Sequence, residues 1–244
     1  MKLTTLITTI TLTLTTLINP TPTTQPTHET DTQTKIQRAQ GQAFQTDQVN
    51  LGTMKYNTTI YPGMQIATTT DSCSLGPKAT YQGKTGYLIA AHCGQPGQTI
   101  HADNPHYDTQ EIGKITTHFD TRDLAFAEIK QGYITSNQLP YGNTLPNNGL
   151  IFENLEELAE TAPDLCKIGS TTGSTCGRIT GYDISTHRAE AYIENNQGDS
   201  GGIVYALARG HYVPVGIVSA LTIENNTVFI PLTIEDMPQG VKLA

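Results

Sequence analysis

Gln197-Gly198-Asp199-Ser200-Gly201-Gly202 carries the strongest local signal in this 244-residue chain. A serine hydroxyl is a poor nucleophile at neutral pH and needs a base beside it. Glycines on both sides let the backbone turn tightly and bring amide N–H groups close to a reacting carbonyl. Negative charge grows on that carbonyl oxygen when a serine attacks, and each donor fixed in advance against it is worth about 3–4 kcal/mol. Gly198 and Ser200 are the candidate donors. The bland alternative is a glycine-rich turn with a capping serine. The same letters also suit the strand-to-helix elbow of α/β-hydrolases, where the acid and the histidine follow the serine. Here only His211 follows Ser200, in an expected hairpin, and no long βαβ region precedes it. Order and length both exclude the elbow.

The base is therefore sought upstream. Tyr87-Leu88-Ile89-Ala90-Ala91-His92-Cys93-Gly94 places His92 at the end of an apolar strand, next to a cysteine that can tie the strand down. Arg122-Asp123-Leu124-Ala125-Phe126-Ala127 places Asp123 at the opening of another, with Asp120 as its nearby competitor. A carboxylate near the core needs a hydrogen-bonding partner. An imidazole N–H is one, and the pairing would set the tautomer that His92 needs. A strand-end histidine is more often structural, and one beside a cysteine can be a metal ligand. Cys73 and Cys93 form no tight pair, however, so no metal site is expected.

Working outward, the remaining chain reads as all-β. Short runs rich in Val, Ile, Tyr or Phe recur at 86–90, 111–116, 124–129, 177–181, 203–206, 213–219 and 227–231, bounded by Gly, Pro, Asn or Asp. Such spacing suggests a barrel or a sandwich. Residues 154–161 (NLEELAET) break the pattern with two leucines three apart, as in a short helical connector. Residues 1–19 have a basic start, an uncharged Leu/Ile/Thr run and a polar exit, which reads as a secretory signal. Residues 20–60 are polar and read as a disordered leader, ahead of a domain at 61–244 divided at about 145. Export makes the four cysteines two disulfides. A net charge of −8 argues against a nucleic-acid partner.

These residues resemble chymotrypsin-like serine peptidases, and more narrowly the bacterial branch typified by α-lytic protease and the streptogrisins. The resemblance rests on Ala91-His92-Cys93, Asp123-Leu124-Ala125 and Gly198-Asp199-Ser200-Gly201-Gly202, in that order. A fourth segment is the long Cys166-Lys167-Ile168-Gly169-Ser170-Thr171-Thr172-Gly173-Ser174-Thr175-Cys176-Gly177. Tyr61-Pro62-Gly63-Met64 followed by Cys73 is similar to exported members, so the likeness covers about residues 61–244.

The resemblance implies two packed six-stranded antiparallel β-barrels, with His92 and Asp123 from the first and Ser200 and the oxyanion hole (Gly198, Ser200) from the second. It implies disulfides Cys73–Cys93 and Cys166–Cys176, and the family's third bridge has no cysteines here. It also implies that Lys167 pairs with Asp199 to hold the oxyanion loop. Glu194, Ser219, Ala220 and Leu221 fall where the substrate pocket is expected. Glu194 suits a basic P1 side chain, whereas Leu221 suits a small one, so P1 preference stays open. The expected activity is that of a secreted serine endopeptidase, monomeric, acting on polypeptides without metal or cofactor and free of the membrane once its signal is removed. Whether it is released or held at the cell surface stays open. The alternatives are a catalytically silent relative used for binding or adhesion, and a metal protein using His101, His106 and His118.

Overall fold

The computed structural model describes residues 59–102, 110–119, 122–140, 142–145, 152–208 and 210–244. The signal reading, the leader reading up to residue 58, Asp120 and His106 lie outside these residues; Thr59 and Ile60, read as the end of a disordered leader, instead form a short strand with Ile60 buried.

The N-terminal half contributes β1 (Thr59–Ile60), β2 (Gln65–Ala67), β3 (Ser72–Ser74), β4 (Lys78–Tyr81), β5 (Lys84–Ile89), β6 (Thr99–Ala102), β7 (Gln110–His118), β8 (Ala125–Ile129) and β9 (Ile134–Thr135). After the helix α1 (Leu155–Thr161) come β10 (Asp164–Gly169), β11 (Gly173–Asp183), β12 (Arg188–Glu194), β13 (Ile203–Ala208), β14 (His211–Leu221), β15 (Asn226–Pro231) and β16 (Val241–Leu243). The helix starts where Asn154 caps it, its side chain accepting from Glu157 N at 3.0 Å. Leu155 and Leu158 are its buried face.

The second half closes into a six-stranded barrel in the order β10-β11-β12-β15-β14-β13. The first half forms an eight-stranded sheet, β16-β4-β5-β8-β7-β6-β2-β3. The expected count of six strands is exceeded by two, and one of the eight is the C-terminal strand β16, which crosses back and pairs with β4, Lys242 opposite Thr80. This covers the exposed edge of β4, which would otherwise invite pairing with another chain. The double-barrel fold class otherwise stands.

Burial along the strands tells which faces meet. In β12 alternate residues are buried, Ala189, Ala191 and Ile193 facing the barrel interior. By contrast β14 is buried without interruption from Val213 to Ser219, because both its faces are covered. Val213, Val215 and Val218 fill the second barrel, while Ile217 joins Ile230 and Leu232 in the first core. The outer surface of β14 and β15 is thus the seam between the halves. Tyr87 fastens the chain entry to this body. Its hydroxyl lies 2.6 Å from Ile60 O and accepts Ser136 N–H at 3.0 Å.

Candidate active site

His92 sits on a single 3-10 turn, Ala91–Cys93, that ends β5. Cys93 is bonded to Cys73 on β3, which ties the turn to the sheet. His118 Nε2 lies 2.7 Å from Gly94 O, and Thr68 Oγ1 donates to Cys93 O at 2.9 Å, so the chain leaving His92 is held on both sides.

Asp123 meets His92 twice. Its Oδ1 accepts His92 N–H at 2.9 Å and its Oδ2 lies 2.7 Å from His92 Nδ1. A carboxylate can only accept, so Nδ1 carries a proton, and in the neutral ring Nε2 keeps its lone pair. A third contact comes from Ser219, whose hydroxyl donates to Asp123 Oδ2 at 2.7 Å. Ser219 is an extra residue in β14: Val218 pairs with Phe229 and Ala220 with the next residue back, Val228. Such a bulge re-aims a side chain, here across the seam.

The electrostatics follow from these contacts. The hydrogen bond to Asp123 raises the His92 pKa above its usual value, against the opposing effect of burial, with the charges of Asp123 and Asp71 adding to the rise. Burial would raise Asp123. The hydrogen bonds from His92 and Ser219 and the charge of His92 outweigh it and hold the carboxyl below the usual range.

Ser200 reaches the same place from the second barrel. Ser74 N–H donates to Ser200 O at 2.7 Å, the Cys93 sulfur lies 3.9 Å from that oxygen, and Gly201 N–H donates to Val218 O at 2.7 Å. Cys93, next to His92, and its disulfide partner's neighbour Ser74 are therefore in contact with the chain around Ser200. Among the described residues the Ser200 hydroxyl has no hydrogen-bond partner, and neither do the N–H groups of Gly198 and Ser200. Gly198 adopts φ +95°, a conformation that other residues rarely take.

The adjoining Asp199 is wholly buried and its carboxylate receives five donors. Oδ2 accepts from Lys167 Nζ at 2.9 Å, Thr172 Oγ1 at 2.6 Å and Asn196 N at 3.1 Å. Oδ1 accepts from Thr171 N and Thr172 N at 2.9 and 3.0 Å. Lys167 is equally buried. Burial opposes ionisation of Asp199, but the Lys167 charge and these donors overcome it and keep the carboxylate ionised. The loop from Gly169 to Gly173 that supplies the donors is bracketed by the Cys166–Cys176 disulfide, whose residues face each other across β10 and β11. Gly169 has no side chain for a simple reason: a Cβ there would lie 2.3–2.6 Å from the Asp199 side chain.

Of the four expected pocket residues, Glu194 ends β12 with its side chain exposed, and Ala220 and Leu221 are exposed at the end of β14. Ser219 is buried, its hydroxyl occupied by Asp123. That support of Asp123 was missed in the sequence, because nothing local distinguishes a bulge serine from a pocket serine. Asn195, next to Glu194, is buried beside the end of β14. It is 3% exposed and donates through Nδ2 to Ala220 O at 2.8 Å, while its Oδ1 has no partner among the described residues. The histidines weighed as metal ligands do not converge among the described residues. Among the described residues the one cluster of ligating types is Cys73, His92 and Cys93, and its cysteines are oxidised.

No family model and no curated protein matches the chain. Solved structures do. Protease A of Thermobifida fusca has a TM-score of 0.54 at 22% identity, over 71% of this chain and 91% of that one. The chymotrypsin of Cellulomonas bogoriensis has 0.55 at 22%, over 76% and 98%. A glutamic acid-specific serine protease has 0.58 at 20%, over 76% and 100%. The chain has the fold of the bacterial chymotrypsin-like serine proteases.

Proposed function

We propose that the chain is a secreted serine endopeptidase in which Ser200 is the nucleophile, His92 the general base and Asp123 the carboxylate that orients it. The observation that carries the reading is the continuous arrangement Ser219–Asp123–His92, with Nε2 left basic beside a glycine-flanked serine turn that presents two unpartnered N–H groups. His92 Nε2 takes the Ser200 proton as Oγ bonds to the peptide carbonyl carbon. The oxyanion forms against Gly198 N–H and Ser200 N–H. His92 then gives its proton to the leaving amine, and water releases the acyl group with His92 again as base. The Ser200–His92 hydrogen bond forms with substrate in place, as catalytic contacts often tighten only in the complex.

The topology supports an extended polypeptide as the substrate. Pairing of β13 with β14 ends at Ile203–Ile217, whereas β14 runs on to Leu221 paired with β15 alone. The other edge of Ser219–Leu221 is therefore without a strand, and a substrate strand can add there. Glu194, Ala220 and Leu221 border that edge in this reading. Secretion is supported by two disulfides and no free cysteine among the described residues. No described helix is long and apolar enough to cross a membrane.

Treatment of the full chain with a fluorophosphonate, followed by intact-mass analysis, tests the reading. One adduct is expected on the wild type and none on Ser200→Ala or His92→Ala. A folded wild-type chain that takes no adduct would overturn the reading in favour of a silent binding protein.

A further inference from the structure

We propose that Thr171 is a positioning residue that sets the direction of the Gly198 amide, with Ser74 and Ser170 fixing the next peptide unit. The inference rests on the serine-peptidase reading and adds to it. Thr171 Oγ1 donates to Gln197 O at 2.7 Å. In a trans peptide the C=O and the following N–H point in opposite directions, and the described residues contain no cis bond. Drawing the Gln197 carbonyl toward Thr171 therefore turns the Gly198 N–H away from it, to the side left open.

The next unit is held in the same manner from two directions. Gly198 O accepts from Ser74 Oγ at 2.7 Å and from Ser170 Oγ at 3.0 Å. Ser74 is fully buried, belongs to the first barrel, and itself accepts Ser170 N–H at 2.8 Å. One hydroxyl thus joins the turn of β3, the Ser170–Thr172 loop and the serine turn. Asp199 O, in the unit after that, accepts Gly202 N–H at 2.9 Å. All three carbonyls preceding Ser200 are occupied, and the two N–H groups that remain are those of Gly198 and Ser200.

A clamp is needed because Gly198, at φ +95°, lacks the steric restriction that would hold its peptide in one orientation. Without the Thr171 hydroxyl the Gln197–Gly198 unit can rotate and turn a carbonyl toward the reacting oxygen. Gly198 is also packed hard on the clamp, since a Cβ there would lie 2.3 Å from Thr171 Oγ1.

Thr171 is exposed, so Thr171→Val removes the hydroxyl at nearly constant shape without opening the core. The test compares full-length wild type, Thr171→Val and Thr171→Ser for the rate of fluorophosphonate labelling across pH and for hydrolysis of fluorescein-labelled casein. Loss of an oxyanion donor lowers kcat about 10²–10³-fold. Thr171→Val is expected to lower both rates about tenfold or more, with the pH midpoint set by His92 and the melting temperature unchanged. Thr171→Ser is expected to restore them. A merely structural role would move the midpoint or the melting temperature and would not separate valine from serine. Rates for Thr171→Val within twofold of a reactive wild type would overturn the clamp and leave the peptidase reading standing. A wild type that neither labels nor hydrolyses overturns both.

Discussion

Replacing Lys167 by methionine keeps an unbranched apolar stem one atom shorter and removes the charged, hydrogen-bonding ammonium. Asp199 would then stay buried with four donors: Thr171 N, Thr172 N, Asn196 N and Thr172 Oγ1. A hydrogen bond to a charged group contributes about 1.5–3 kcal/mol, and leaving one member of a buried pair uncompensated costs about 3–5 kcal/mol in all. Domains of this kind have about 5–15 kcal/mol of stability, so the loss is a large share. The opposite variant, Asp199→Ala, is worse by the same reasoning. It strands an ammonium whose other partner is the Thr172 hydroxyl, and it also frees three backbone N–H groups. The chain has 11 tyrosines and no tryptophan, so urea unfolding is best followed by circular dichroism. The expected order of midpoints is wild type, then Lys167→Met, then Asp199→Ala, with the slope against urea unchanged for any variant that remains folded. Labelling of Ser200 should fall in the same order, since Asp199 is its neighbour in the chain. A Lys167→Met protein within about 1 kcal/mol of wild type, or an inverted order, would refute the argument that this pair holds the serine turn.

The pH dependence of labelling follows from the raised His92 pKa. A base works when neutral, so the rate should climb with a midpoint above the usual histidine value of about 6.5, and Asp123→Asn should move that midpoint down because burial is then opposed only by the charge of Asp71. A profile flat from pH 5 to 9 would contradict the role of His92. The stabilisation from the charged His92–Asp123 pair has the opposite course: it is complete below the ordinary histidine pKa and is lost as pH rises through the raised one. For Asp123, whose pKa is lowered, the contribution is present above the ordinary carboxyl value and is lost as pH falls through the lowered one. Ser219→Ala removes the third contact on Asp123, worth about 1.5–3 kcal/mol as a bond to a charged group, and should lower the second-order labelling rate about tenfold or more. An unchanged rate in the folded variant would mean that His92 alone suffices to hold Asp123.

Legibility in the sequence varied with how much of the physics was local. The runs at 86–90, 203–206 and 227–231 are apolar enough to announce strands, and β5, β13 and β15 cover them except for Ala90. β12 went unnoticed because its inward residues are Ala189, Ala191 and Ile193, too small to stand out between Arg188, Glu190, Tyr192 and Glu194. β10 went unnoticed because Lys167 sits in its middle, a residue that belongs at a buried position only once Asp199 is opposite it. The helix at Leu155–Thr161 was readable from its two leucines.

By itself the sequence determined the chemical kit and its order: a histidine closing one strand, an aspartate opening another, a serine among glycines, and four cysteines. These are properties of residues and their immediate neighbours, so they survive without coordinates. What only the tertiary structure decided is how groups far apart in the chain orient one another. A bulge turns Ser219 onto Asp123, 96 residues away. The hydroxyls of Ser74 and Thr171 hold two carbonyls of the serine turn. The last strand returns to complete the sheet of the first half. Hydrogen bonds demand direction as well as proximity, and direction is set by packing across the seam, which no single stretch of sequence contains.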